Sequence, residues 1–562
     1  MATIPVVVKH QGTKYDVEVD PDSTGEVFKF QLYSLTGVEP ERQKILIKGG
    51  QVKDDTPMSK FNFQPGQSIM MLGTPGKDGK DVLARPKEKI KFVEDMTEAE
   101  AAQQEGAIPA GLTNLGNTCY LNSTLQALRA IPELQNALGK YEPPSNAIST
   151  GGLPPPLDLT RQLRDLYKYM SETQEAYVPH VFLTALRSAF PQFAERSRTG
   201  PGFAQQDAEE AWSQIVTQLR QKLRVKDAPD AADTSFIDKY MSGEFTSELE
   251  CDEPAAREGE EKPVAAKETF LKLNCHIDSN TNHLRDGIAN GLSEKLEKRS
   301  EVLGRDAVYT KTSKISRLPK YLTVHFVRFY WKRETQKKAK IMRKVTFPHE
   351  LDLVEFCDDK LKRMLVPVRD KVREVQKDEE DIERARKRRK RNAAGEDPAD
   401  IAGGKGAKKD DKKKDDKKAG TSADGDVEMA ETYKTDAEID AERDAALLAA
   451  KKELNALIDP DLAKDDGANQ SGLYELRGLV THQGASADSG HYTAYVKKTA
   501  PVDAKTGKRK EEDGKWWWFN DDKVSEVTAD KIDTLAGGGE SHSALILLYR
   551  AIPLPSAEGT ME

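Results

Sequence analysis

Cys119 lies in the run Gly111-Leu-Thr-Asn-Leu-Gly-Asn-Thr-Cys119-Tyr-Leu-Asn-Ser-Thr-Leu-Gln-Ala-Leu128, where a turn-rich segment (Asn114, Gly116, Asn117) meets an apolar, helix-forming stretch. A cysteine in the first turn of a helix is a candidate nucleophile. The helix N-terminus stabilises an anion, so it favours the thiolate over the ordinary cysteine pKa of about 8.5. Free backbone N–H groups at the same end can receive a developing oxyanion. Asn114, on the preceding loop, could turn its amide toward that oxyanion. A cysteine by itself is more often a small buried hydrophobe, so the chemistry requires partners.

Two downstream segments offer them. His491 stands in Ser489-Gly-His491-Tyr-Thr-Ala-Tyr495, after a Gly/Ser-rich loop and at the start of an alternating strand. Trp516-Trp-Trp-Phe-Asn520-Asp-Asp-Lys-Val524 is a bulky strand that ends in polar residues. Asn520, or its neighbour Asp521, could hold the imidazole through Nδ1–H and leave Nε2 to take the thiol proton. A lone histidine is usually structural or solvent-facing; the constellation gives this one a task.

The scaffold must be large enough to bring these segments together. The chain has 562 residues, which suggests about three or four domains at roughly 150 residues each. Charged residues make up 32% and mean hydropathy is −0.69, so part of the length is not expected to pack. The 17 Phe, 16 Tyr and 5 Trp suffice for at least one large core. A net charge of −8 argues against a nucleic-acid binder. The four cysteines (Cys119, Cys251, Cys275, Cys357) are far apart and form no CxxC pair, which argues against a zinc ribbon or a disulfide scaffold. Met1 to His10 does not resemble a signal peptide and no window approaches the ~20 apolar residues of a membrane span. The expected compartment is reducing: cytoplasm, nucleus or both.

Residues 4–72 read as a small α+β unit. Tyr15, Val17 and Val19 alternate with Asp16 and Glu18 after the strand Val6-Val7-Val8, a period-two hairpin signal. Ser23 and Glu26 form an expected capping box, and Phe28, Leu32 and Leu35 an apolar stripe ending at Gly37. Ile45 to Ile47 and Ile69 to Leu72 are further strands, with Lys48-Gly49-Gly50 as a turn. A Gly-, Lys- and Glu-rich linker follows to about Ala107, then a folded region from Ile108 to about Val366. From Met364 the sequence becomes a charged helical stretch ending in Arg386-Lys-Arg-Arg-Lys-Arg391. Between Arg386 and Gly420 there are 14 basic and 7 acidic residues and no aromatic, a composition expected to stay solvated. A helix returns over Ala437 to Ile458, with Leu447, Leu448 and Leu454 on it, and the fold resumes near Tyr474. One domain is thus interrupted by a long insertion. This is cheap, because each doubling of a flexible loop costs only about 0.6 kcal/mol.

The order of strands and helix in residues 4–72 resembles ubiquitin. The unit runs into Gly73-Thr74-Pro75-Gly76 rather than a free Gly-Gly end, so it reads as a fixed recognition module. The resemblance implies that Leu46, Met70 and Leu72 form its binding face; the alternative is that one or more of them is core. The Cys119, His491 and Trp516–Val524 segments occur in the order of the ubiquitin-specific proteases. Gln205-Gln-Asp-Ala-Glu-Glu210, Leu318 to Tyr330 and Leu473 to Gly484 also resemble that family's motifs. The expected fold class is therefore α+β. A ubiquitin-like β-grasp domain (1–76) and a flexible linker (77–107) precede a papain-like protease domain of fingers, palm and thumb (108–550). That domain carries a charged insertion at 368–470, and a tail follows at 551–562.

By that resemblance Cys119 is the nucleophile, His491 the general base, Asn520 the third catalytic residue and Asn114 the oxyanion donor. Gln206 and Asp207 are structural or substrate-contacting. The resemblance also implies ubiquitin and ubiquitinated proteins as substrates, and docking of the N-terminal module on the 19S regulatory particle of the 26S proteasome. No cofactor, membrane or nucleic-acid partner is expected. Many relatives carry a four-cysteine zinc ribbon in the fingers. Here only Cys251 and Cys275 fall there, and Thr246 to Glu250 with Phe270 to Asn274 alternate like paired strands, so a metal-free finger hairpin is expected. Low activity of the free chain is implied as well, with Trp331 to Ile341 and His482 to Ser489 as the blocking loops. The rivals are a non-catalytic proteasome adaptor, which would not need Cys119, His491 and Asn520 together, and a general cysteine protease.

Overall fold

The computed structural model describes residues 3–47, 50–73, 96–102, 106–143, 158–197, 200–226, 233–258, 261–333, 337–393, 436–487, 489–500 and 512–560. The chain divides into two compact units, Met1–Met96 and Thr97–Glu562.

In the first unit the hairpin Ile4–His10/Thr13–Val19 pairs with Gln67–Leu72, which pairs with Lys44–Ile47 and then Gly50–Gln51. The first and last long strands run parallel, and the helix Gly25–Thr36 packs across the sheet. Val6, Val8, Val17, Val19, Ile45, Ile69 and Met71 fill the inner face. Period two then sends Leu46, Met70 and Leu72 outward, and they are 43%, 52% and 49% exposed. None of the three is core. Two local expectations fail. The helix is capped at Thr24 without a side-chain bond, because Ser23 Oγ donates to the Asp20 carbonyl instead. Leu35 is exposed, and Phe28, Leu32 and the stem of Lys29 form the buried stripe. Gly37 ends the helix at φ +70°. Lys48 and Gly49 of the expected turn lie outside the described residues.

Part of the expected linker is helical: Glu98–Ala102 starts on a reciprocal cap between Thr97 and Glu100. The rest of the second unit has three parts. A thumb of helices holds Cys119–Arg129, Pro132–Gly139, Leu159–Ser171, His180–Ala189 and Ala208–Lys222. A ten-stranded palm sheet contains, in order, Leu273–His276, Tyr321–Val327, Ser543–Ala551, Leu473–Ser486, Ser489–Lys497, Trp516–Asn520 and Lys523–Val527. A four-stranded finger sheet is ordered Ser293–Arg299, Asp306–Arg317, Gly243–Cys251, Val264–Phe270.

The finger pairing differs from expectation. Gly243–Cys251 pairs with Val264–Phe270 and Asp306–Arg317, whereas Leu273–His276 joins the palm, parallel to Tyr321–Val327. The bend at Leu271-Lys272 separates two strands that read as one alternating run. Cys251 and Cys275 consequently sit in different sheets, both buried.

The insertion leaves the palm as the helix Asp359–Ala393 and returns as Asp436–Ala456. Val368, Val372, Val375, Leu454 and Leu473 seal its base. Leu447 is half-buried against them and Leu448 is exposed. Farther out, Lys371–Glu453, Lys451–Glu379, Arg386–Asp444 and Arg389–Asp440 ion pairs set the register between the two helices. Much of the 386–420 run lies outside the described residues.

Candidate active site

The helix that begins at Cys119 is buried from Cys119 through Leu128. Leu121, Leu125 and Leu128 anchor it, each burial contributing about 1.5–3 kcal/mol. Its buried polar side chains reach back to the loop that precedes it: Asn122 Nδ2 donates to the Leu112 carbonyl and Gln126 Nε2 to that of Ala110. The helix thus holds its own entry loop. Gly111 allows the closest approach there, because a Cβ would meet the backbone of Asp521 and Asp522 within 3 Å.

The helix packs against the strand Ser489–Lys497, and the backbone N–H of Tyr492 reaches the Cys119 sulfur. Tyr492, the chain neighbour of His491, is thus brought to Cys119 from a distant part of the chain. His491 Nε2 lies 2.6 Å from Asn520 Oδ1. An amide oxygen only accepts, so Nε2 carries the proton and Nδ1 is the basic nitrogen. This reverses the ring assignment expected from sequence; the Asn520 contact itself is as expected.

Asn114 is held more tightly than a swinging donor would be. Its Oδ1 accepts from the backbone N–H of Gly116 and Thr118, and its Nδ2 donates to Asp521 Oδ2 at 2.9 Å. The other oxygen of Asp521 accepts from Asn122 Nδ2 at 2.8 Å, and its carbonyl accepts from Leu112 N–H. Asp521, at φ +52° in the turn after Asn520, is the clamp between that turn and the nucleophile loop. Sequence left its part open; the polar run Asn520-Asp521-Asp522 was its only signal. One amide proton of Asn114 remains for an incoming oxyanion.

The thiol departs from expectation. Cys119 is 2% exposed, and burial, with the Asp521 carboxylate adding to it, pushes its pKa up to about 11. Desolvation outweighs the Tyr492 N–H and the helix N-terminus. Gln206 is half-buried; Asp207 caps the helix Ala208–Lys222 by accepting from Glu209 N–H. That helix touches the nucleophile helix where Thr124 Oγ1 donates to the Ala208 carbonyl.

The two expected blocking loops are β-hairpins. Phe329–Lys332 pairs with Lys337–Lys340, and Leu473–Ser486 pairs with Ser489–Lys497. They are tied to each other: Ala339 pairs with Ser486, and buried Lys340 Nζ donates to the His482 carbonyl at 2.6 Å. Burial, then the nearby Arg328 charge, pushes Lys340 down to about 8. At the root of the first hairpin, fully buried Arg328 donates to the carbonyls of Ala544, Ile341, Arg343 and Ala536. Gly490 (φ +122°) is required, since a Cβ would meet the Gln483 carbonyl and the His482 ring. The described residues contain no group of three or more His, Cys, Asp or Glu placed to hold a metal ion.

The sequence resembles known proteins along nearly its whole length. Residues 110–549 match the sequence model of the family "Ubiquitin carboxyl-terminal hydrolase", and residues 6–76 that of the "Ubiquitin family". A Schizosaccharomyces pombe protein, ubiquitin carboxyl-terminal hydrolase 6, is 42% identical over 98% of this chain and 99% of its own length. An Arabidopsis thaliana protein, also ubiquitin carboxyl-terminal hydrolase 6, is 37% identical over 97% and 98%. Ubiquitin carboxyl-terminal hydrolase 14 of Caenorhabditis elegans is 32% identical over 98% and 94%. The likeness runs through both units.

Proposed function

The chain belongs to the ubiquitin carboxyl-terminal hydrolase family and is a cysteine-type deubiquitinase, and on that premise we propose how its residues carry the reaction and where it acts. His491 Nδ1 takes the Cys119 thiol proton. The thiolate attacks the carbonyl carbon of ubiquitin's C-terminal glycine. The oxyanion is received by the remaining Asn114 amide proton and by backbone N–H at the helix start. The carbon–nitrogen isopeptide bond breaks, the imidazolium gives its proton to the departing lysine amine, and a thioester remains. Water, deprotonated by His491, hydrolyses it and restores the thiol. Asn520 keeps the imidazole ring turned for both transfers, while Asp521 keeps Asn114 in place. Gln206 and Asp207 are structural or substrate-contacting rather than catalytic, Asp207 serving as the cap of the helix Ala208–Lys222.

What supports this reading is the Tyr492 backbone N–H at the Cys119 sulfur, one residue after a His491 ring held by Asn520. The test is hydrolysis of a ubiquitin–fluorophore by the full chain and by Cys119→Ala, with adduct mapping after a ubiquitin C-terminal electrophile. Cleavage retained by Cys119→Ala, or an adduct elsewhere, overturns it.

The place of action is the 19S regulatory particle in cytoplasm and nucleus, reached through Leu46, Met70 and Leu72 of the ubiquitin-like unit. What supports this is an exposed apolar trio on one sheet face of a unit that resembles a recognition module. The tied hairpins then hold the free enzyme closed until it docks. Met70→Glu should abolish co-sedimentation with purified 26S proteasome and its stimulation of hydrolysis, leaving free-enzyme hydrolysis unchanged. Undiminished co-sedimentation would remove the docking face from the account.

A further inference from the structure

Beside the catalytic imidazole stands a second one with no assigned role. His542 immediately precedes the strand Ser543–Ala551, and its ring lies 6.3 Å from that of His491 at 73°, an edge-to-face contact. Its Nδ1 is 3.1 Å from Thr481 Oγ1, which is itself 2.8 Å from Thr493 Oγ1. Thr481 and Thr493 are cross-strand partners in the two strands that carry His482 and His491. The same short segment grips the His491 hairpin twice more: the Glu540 carbonyl accepts from Gly484 N–H, and Ser543 Oγ donates to the His482 carbonyl. His542 is therefore fixed to the strands under His491, not merely adjacent to it.

We propose that His542 is a positioning residue for His491: anchored through Thr481, its ring edge restricts rotation of the catalytic imidazole and keeps water off that side. Asn520 fixes only one ring nitrogen, and a single hydrogen bond leaves the ring free to swing about it. A second contact from another strand removes that freedom. The device needs a neutral, poorly solvated ring. Burial, then His491, Lys340 and Lys531, pushes His542 down to about 4, and His482 on the same sheet is held down to about 3. Glu540, which faces Lys340, is the acidic group among these neighbours.

This inference rests on His491 as the general base, so the experiment separates the two. In the full chain, His542→Ala removes both ring and anchor, and His542→Phe keeps the ring but not the anchor. Thermal unfolding establishes that each variant is folded. Ubiquitin–fluorophore hydrolysis should show kcat about tenfold lower for His542→Ala, with KM within about twofold, and a loss of under about threefold for His542→Phe. Histidine-selective NMR of the free chain at fixed pH should show the His491 ring signals broadened in His542→Ala, because the ring then reorients. They should stay native in His542→Phe. A folded His542→Ala with native kcat and native His491 ring signals overturns the proposal. So does equal loss in both variants with KM and melting temperature changed together, which would mark a structural role. Activity surviving in His491→Ala would instead defeat the assignment of the base.

Discussion

Asn114 Nδ2 donates to Asp521 Oδ2 at 2.9 Å across 407 positions of sequence. The bond joins the loop before the nucleophile to the turn after the residue that orients the histidine. Asp521 makes a matching bond to Asn122, so one carboxylate fixes both Asn114, the proposed oxyanion donor, and the first turn of the helix that begins at Cys119. Its removal should act on the transition state more than on substrate binding. We expect Asp521→Ala to lower kcat by about tenfold to a hundredfold with little change in KM, as loss of an oxyanion donor does. Asn520→Ala should cost a similar factor by a different route. Steady-state hydrolysis of a ubiquitin–fluorophore measures both; an Asp521→Ala enzyme with native kcat would show that the clamp is dispensable.

The buried thiol should be sluggish. With its pKa pushed up to about 11 by burial, Cys119 is almost wholly protonated at neutral pH in the free chain. Raising an acid's pKa leaves the thiolate populated only at higher pH, so alkylation by iodoacetamide should climb steeply toward pH 10. At pH 8 it should run at least about tenfold slower than for a free cysteine. Mass spectrometry of Cys119 across pH measures this, and rapid labelling at pH 7 would mean that the thiolate is already formed.

Lys340 links the two hairpins beside the site through the His482 carbonyl. Lys340→Met keeps the buried stem and removes the donor. Basal hydrolysis by the free enzyme should rise severalfold as the first hairpin comes away, with KM falling. Stopped-flow hydrolysis without proteasome reads the change, and an unaltered basal rate would break the link between this contact and closure.

Arg328 is a fully buried cation whose guanidinium is shared among four backbone carbonyls. Arg328→Met leaves those acceptors dry and unmet. We expect a loss of about 3 kcal/mol or more in urea unfolding of the catalytic unit. A loss under about 1 kcal/mol would mean that the hairpin root rearranges to satisfy them.

The sequence by itself determined the two-part plan and the segments bearing Cys119, His491 and Asn520, and it left open whether Leu46, Met70 and Leu72 face outward. What it determined is local: strand period, helix onset, and residue types that tolerate few substitutes for their chemistry. Tertiary structure decided the rest. Which nitrogen of His491 is basic depends on where Asn520 Oδ1 arrives. Whether the thiol is activated depends on how deeply packing buries it, and burial outweighed the helix N-terminus. The finger pairing turned on a bend at Leu271-Lys272 that an alternating pattern does not record. Asp521, Lys340 and His542 gain their places only through partners distant in the chain, and the residues around them do not specify contacts that folding alone creates.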